Sequence, residues 1–351
     1  MAKLRLVYRC TECAGSHPKW SGRCITCGAW NSLVEDVEGP EEPLVSLAAG
    51  MSLVAPGEAK PITEVDGSIG QPQPTTIPEL DRVLGGGIVP GSVTLLGGEP
   101  GIGKSTLLMQ LLAAWPARTL YVTAEESAQQ VRLRAERLGA LNENVWLLPE
   151  MNLHNIFKAI ASVQPNLIVI DSIQTIADPE LSSPPGSVVQ VRGCAHRLVQ
   201  EAKRSNIPVV LVGHVTKEGG LAGPRVLEHV VDTVLSFEGE RHNALRLLRA
   251  SKHRFGPTSE LGLFEMTDAG MVGVPDASQL FLADRRTGVP GSVVVPTIEG
   301  QRPLLVELQA LTNSVSGGAP PRRSAQGVDS GRLALLLAVL ARRARISLAG
   351  H

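Results

Sequence analysis

Residues 97–106 read GGEPGIGKST, and no other stretch of the chain restricts the fold so tightly. Gly98, Gly103, Lys104 and Ser105 fit the spacing G-x-x-x-x-G-K-[ST]. Glycines let a loop turn sharply enough to aim successive backbone N–H groups inward. A helix that starts directly after the loop adds its positive N-terminal end. Both flanks comply, because the apolar run SVTLLGG leads in and the helical run STLLMQLLAAW leads out. The expected phosphate cradle is Gly98, Glu99, Pro100, Gly101, Ile102, Gly103, Lys104, Ser105 and Thr106. Lys104 is placed to meet the β- and γ-phosphates of ATP or GTP, and the Ser105 hydroxyl to meet Mg²⁺.

Around this loop, residues 75–275 alternate apolar runs with helical ones. SVTLLGG, TLYVTAEE, VWLLP, NLIVIDSI, PVVLVGHVT, DTVLSFEG and ALRLLRASKHRF read as strands. Continuous apolar runs are strands covered on both faces, so the fold expected is α/β with a mostly parallel sheet. The polar turn EGERHN joins the last two runs as an antiparallel edge hairpin. Ligands of open α/β sheets bind at the carboxyl ends of the strands. There Asp171 closes NLIVID as a candidate Mg²⁺ ligand, while Glu125 and Glu126 follow TLYVTA as candidates to orient water. His214 and Thr216 end VVLVGHVT, and His214 is a candidate γ-phosphate sensor.

Four of the five cysteines form two CxxC knuckles, Cys10/Cys13 and Cys24/Cys27, with ten residues between them. This spacing suits tetrahedral Zn²⁺, with Gly15, Gly22 and Gly28 supplying turns. Disulfides or a redox site are the alternative, disfavoured where thiols stay reduced. So short a segment has almost no core, and metal supplies its folding energy. Trp20 and Trp30 are expected to pack over the metal site or inside the module, and Cys194 to be a small buried apolar residue. Residues 39–74, rich in Pro, Glu and Gly, read as a linker.

The 351-residue chain carries a net charge of −1, so contacts to nucleic acid must be local. Aromatics make up 3%, too few for long rows of stacking rings. No apolar run is long enough for a membrane span, and the N-terminus lacks a signal-peptide core, which makes a cytoplasmic protein the expectation.

The order TTIPELDRVLGGGIVPGSVTLLGGEPGIGKST, YVTAEES, IVIDSIQT and GHVTKEG resembles the RecA-type ATPase core. The zinc knuckles ahead of it narrow the resemblance to bacterial DNA-repair members of that family. It covers residues 5–38 and about 75–351. It implies a hexameric ring driven by ATP along single-stranded or branched DNA, acting in recombination and repair alongside the RecA recombinase. It also implies that Glu125 activates water. A family signature KNRFG stands here as Lys252, His253, Arg254, Phe255 and Gly256, with His in place of Asn. By resemblance, Lys252 and Arg254 act across a subunit boundary on the γ-phosphate. The loops SSPPGSVVQVRG, holding Arg192, and TKEGGLAGPRVLEH, holding Lys217 and Arg225, correspond to loops that touch DNA.

The expected organisation is a zinc module over 1–38, a linker over 39–74, the ATPase core over 75–275, and the core's end with a connector over 276–321. Residues 322–351 would begin a scaffold domain resembling the Lon protease fold, with ISLAGH as its first strand. Leu333, Leu336, Leu337 and Leu340 form one apolar helical face there. Since the chain stops at His351, a poorly packed tail and a weakened ring are expected. Two other functions compete with the motor: a nucleotide- and zinc-binding module without motor activity, and an ATP-dependent regulatory switch built on the same core.

Overall fold

The structure is a computed structural model. It describes residues 5–10, 16–38, 61–64, 70–214, 224–239, 244–276, 278, 282, 285–314, 322–346 and 348. The greater part of the linker, Cys13, Thr216, Lys217 and most of ISLAGH lie outside the described residues. Contacts divide the chain into one unit over residues 1–275 with 300–302, and a second over 276–299 with 303–351.

The first unit opens with a small sheet, β1 (Arg5–Cys10), β2 (Ser16–His17) and β3 (Leu33–Glu38), in the order β2-β1-β3. Its described core is little more than Val7, Cys24 and Leu33. Trp20 and Trp30 do not pack inside it. They are 59% and 72% exposed, because so short a module has no interior that two indoles can enter.

Backbone pairing of the next domain begins at Gln73, which exchanges hydrogen bonds with Ile88. The elements then run α1 (Pro78–Val83), β4 (Val93–Gly98), α2 (Lys104–Ala114), β5 (Thr119–Thr123), α3 (Ala128–Arg137) and β6 (Val145–Pro149). They continue as α4 (Leu153–Val163), β7 (Leu167–Asp171), α5 (Val188–Ser205), β8 (Val209–His214) and a single turn, α6 (Pro224–Leu227). Four strands complete the unit: β9 (Thr233–Glu238), β10 (Leu245–His253), β11 (Leu261–Thr267) and β12 (Gly270–Gly273).

Among the described residues these strands form one nine-stranded sheet in the order β12-β11-β10-β9-β4-β8-β7-β5-β6. From β9 to β6 it is parallel; beyond β9 it is antiparallel. The β9–β10 hairpin lies on that antiparallel flank, and β11 and β12 continue it, so β12 is the edge. Both faces are covered. In β7, Leu167 and Val169 enter one core with Leu96, Leu108, Tyr121 and Phe237, whereas Ile168 and Ile170 enter the other with Leu153, Ile156, Cys194 and Leu198. Alternate residues of a strand face opposite sides, so a wholly apolar run fits only between two helical layers.

Local signals set the helix starts. At α3, the Ser127 hydroxyl accepts from the Gln130 N–H while Gln130 Oε1 accepts from the Ser127 N–H, a reciprocal cap. At α5, the Ser187 side chain accepts from Gln190 N–H, so the helix begins at Val188, directly after the Gly186 turn. Arg192 is therefore exposed on a helix and not on the expected loop.

In the second unit β13 (Ser292–Glu299) pairs with β14 (Arg302–Gln309), and α7 (Ser330–Val339) is capped by Asp329. No residue of α7 is buried, and Leu336 is 51% exposed.

Candidate active site

The phosphate loop is built from below. β4 is buried throughout and delivers Gly98 to the carboxyl end of the sheet. A Cβ at Gly98 would lie 2.6 Å from the Phe237 carbonyl oxygen, so only glycine lets β4 pass beside β9 there. Gly103 has φ +114°, and a Cβ would lie 2.5 Å from Met266 Cε. α2 then starts at Lys104, leaving its first N–H groups facing the loop.

Lys104 is buried, and its ammonium donates to the carbonyls of Gly98 at 2.8 Å and Glu99 at 2.9 Å. Burial holds its pKa below the ordinary lysine value, against the opposing charges of Asp171 and Glu125. At the end of β7, one oxygen of Asp171 accepts from Ser105 Oγ at 2.6 Å and from Tyr121 OH at 2.7 Å. Burial, then the Asp171 charge, pushes the Tyr121 phenol far above its usual range and keeps it a donor. The Ser105 hydroxyl and Asp171 carboxylate are hard oxygen donors within one coordination radius of each other, the set Mg²⁺ takes beside phosphate.

Glu125 follows β5, and its Oε1 accepts from Ser172 Oγ at 2.6 Å. Ser172 is fully buried and next to Asp171, so it brings the second carboxylate close to the first. Glu126 pairs with Arg134 instead. His214 ends β8 in register with Gly98.

Lys252 and Arg254 lie near the opposite, amino ends of the parallel strands. β10 runs antiparallel, so His253 pairs with Thr233, which pairs with Thr94 at the start of β4. The four residues from Thr94 to Gly98 span about 13 Å. Lys252 Nζ donates to the carbonyls of Glu228 at 2.5 Å and Val231 at 2.8 Å, and Arg254 pairs with Asp232 at 3.4 Å. Between them His253 Nδ1 meets Thr233 Oγ1 at 3.0 Å, and burial lowers its pKa. The chain thus brings Lys104, Ser105, Glu125 and Asp171 together, and sets Lys252 and Arg254 apart from them. Arg225 lies in α6, again on the backbone of a helical turn.

Three residues escaped the reading of the sequence. Tyr121 was hidden in an apolar run, and Ser172 carries no signal beyond adjacency to Asp171. Arg246 is a charge at an inward position of β10, between residues that alternate with buried Leu248 and Ala250. Its Nε donates to the Ile102 carbonyl of the phosphate loop at 3.1 Å.

In the N-terminal module Cys24 is buried and Cys27 exposed, and Cys10 ends β1 opposite Leu33. The backbone N–H of Cys27 lowers the Cys24 thiol to about 5, against burial and helped by His17 and the Thr26 N–H. His17 Nε2 lies 3.3 Å from Cys24 Sγ. A thiolate held by knuckle N–H groups at neutral pH is the form that binds Zn²⁺, so the donors described fit that metal. Cys194 is buried, as expected, and burial pushes its thiol up to about 12.

A glycine loop closed by a lysine, facing two carboxylates at the carboxyl ends of a parallel sheet, defines a RecA-like P-loop ATPase that uses ATP with Mg²⁺. Residues 59–220 match the family model described as AAA domain, and residues 8–35 match the rubredoxin metal binding domain, in keeping with Zn²⁺. The chain is 48% identical over 350 residues to DNA repair protein RadA of Halalkalibacterium halodurans, covering 98% of this chain and 75% of that protein. It is 51% identical over 350 residues to the RadA of Pseudomonas aeruginosa, covering 99% and 76%. The chain belongs to the RadA family of DNA repair proteins. A KaiC-like protein, PH0186 of Pyrococcus horikoshii OT3, shares the fold, with TM-score 0.50, 22% identity, and coverage of 59% of this chain and 100% of that one. Among the described residues no helix is long and apolar enough to cross a membrane.

Proposed function

We propose that this chain is an ATP-driven motor of DNA repair, moving on single-stranded DNA to promote strand exchange or branch migration beside the RecA recombinase in the cytoplasm. The observation that carries it is the grouping of Lys104, Ser105, Asp171 and Glu125 in a member of a DNA repair family. Lys104 leaves its loop carbonyls to hold the β- and γ-phosphates. Ser105 and Asp171 would hold Mg²⁺, which would supply positive charge beside those phosphates. Glu125, steadied by Ser172, takes a proton from the water that attacks the γ-phosphorus. The β–γ bridging oxygen leaves with ADP.

Lys252 and Arg254 sit by the amino ends of the parallel strands, away from this chain's own phosphate loop, which suits a ring in which they serve the neighbour's nucleotide. His214, at the strand end beside Gly98, senses the γ-phosphate. Arg192, Lys217 and Arg225 meet DNA phosphates, giving salt-dependent, sequence-tolerant binding. The domains are those expected above, with four-cysteine zinc coordination by Cys10, Cys13, Cys24 and Cys27.

The test is ATP hydrolysis by the purified chain with and without single-stranded DNA. Stimulated turnover is expected, falling by about two orders of magnitude or more in Lys104→Ala. ATP binding with no stimulated turnover would leave a nucleotide-binding module and sink the motor.

A further inference from the structure

The zinc module turns its largest apolar side chains to solvent. Trp20, Ile25 and Trp30 are exposed within one short stretch, whereas the module's described core is little more than Val7, His17, Cys24, Ser32 and Leu33. Trp30 is held in place. Its backbone bridges to Arg23, and the Asn31 N–H donates to the Gly22 carbonyl at 2.9 Å. The Arg23 guanidinium lies over the indole, 5.6 Å from its centroid, and is itself anchored by Nε donating to the Gly28 carbonyl at 2.8 Å. A fixed cation thus covers part of one ring face, and the ring is still 72% exposed. Residues 16–34 contain Lys19 and Arg23 and no Asp or Glu.

We infer that the exposed indoles of this stretch, Trp20 and the Arg23-backed Trp30, form a stacking site for the bases of single-stranded nucleic acid. Flat, open indoles accept any base by its π-face, and adjoining cations meet the backbone phosphates, so such sites are tolerant of sequence. Two rings on one small module suffice for this without the aromatic rows that the composition excludes. A partner protein seeking an aliphatic surface would gain nothing from the bias toward positive charge. The inference goes beyond the motor reading, because it places a strand contact outside the ATPase core and independent of ATP.

The test uses the zinc-loaded full chain without nucleotide, titrated with oligothymidine of about 16 nucleotides, an oligouridine of equal length, and an abasic strand of equal length. Tryptophan emission and strand anisotropy are read together. The expected result is quenching by the base-bearing strands but not by the abasic one, with the two oligomers ranking DNA against RNA. Trp20→Ala and Trp30→Ala should each weaken binding about tenfold with zinc content unchanged, and Trp30→Phe should retain most of it. Trp115 and Trp146 supply the background, read in the double alanine variant. Equal affinity for the abasic strand, or unchanged affinity in zinc-replete alanine variants, overturns the inference, as does a face that engages only protein. Should alanine release the metal, Lys19→Glu and Trp30→Phe decide: affinity unchanged in Lys19→Glu, or quenching absent in Trp30→Phe while Trp20 remains, overturns it. DNA-stimulated ATP turnover is measured in parallel, and its absence alongside intact quenching fails the motor reading and not this one.

Discussion

Arg246 carries a charge into the interior of a sheet, where it is tolerated only because its guanidinium is hydrogen-bonded. One bond reaches the Ile102 carbonyl of the phosphate loop and another the Leu245 carbonyl. Arg246 is therefore a positioning residue for the loop. Arg246→Gln should weaken ATP binding about tenfold, seen as a rise in KM larger than the fall in kcat. Glu125→Gln keeps the side chain's size and its bond from Ser172 but cannot accept a proton, so ATP binding should persist while kcat falls about a hundredfold or more. Nucleotide-binding assays beside steady-state turnover separate the two variants. Lys104 and Ser105 were legible because one short loop and the helix after it define their roles. Tyr121 was not, because the oxygen that makes its hydroxyl meaningful lies fifty positions away in the chain.

At the level of elements, the antiparallel flank behaves as a buttress. Phe237 of β9 and Met266 and Met271 of β11 and β12 lie against Gly98 and Gly103, which is why those positions carry no side chain. The flank is tied to α1 through a buried ion pair. Arg302 Nη1 meets Glu79 Oε2 at 2.6 Å, Nη2 donates to the carbonyls of Val274 and Pro275, and Glu79 accepts from the Leu263 N–H. Removing one partner strands the other charge in the interior. Arg302→Met should cost about 3–5 kcal/mol, lowering Tm by roughly 6 °C or more in a thermal melt. β11 and β12 went unread because LGLFEMT and GMVG are short and ordinary, and the pairing of β11 with β10 and of β12 with β11 is not encoded by any turn motif.

Across the whole molecule, the phosphate loop and the Lys252–Gly256 segment lie at opposite ends of the strands of one sheet. If each nucleotide is completed by a neighbour's Arg254, chains altered at either place fail alone and rescue each other. Mixing Lys104→Ala with Arg254→Ala chains should restore part of the DNA-stimulated ATP turnover, since one loop meets the other's intact Arg254. No recovery in co-assembled rings would place Arg254 in a structural role, holding Asp232 and the start of β9. The chain spans about three quarters of the length of the RadA relatives it matches, and α7 buries none of its leucines.

The sequence alone determined what rests on neighbours along the chain: the glycine loop and its lysine, the two knuckles, and apolar runs that are strands because both faces are covered. Only the tertiary structure decided what depends on distant partners. It joined Tyr121, Ser105 and Ser172 to the carboxylates, put Arg246 beneath the loop, moved Arg192 onto a helix, and left Trp20 and Trp30 facing water. Local patterns constrain the backbone within a few residues, whereas a buried hydroxyl, a guanidinium or an indole takes its meaning from whatever the completed fold brings within a few ångströms of it.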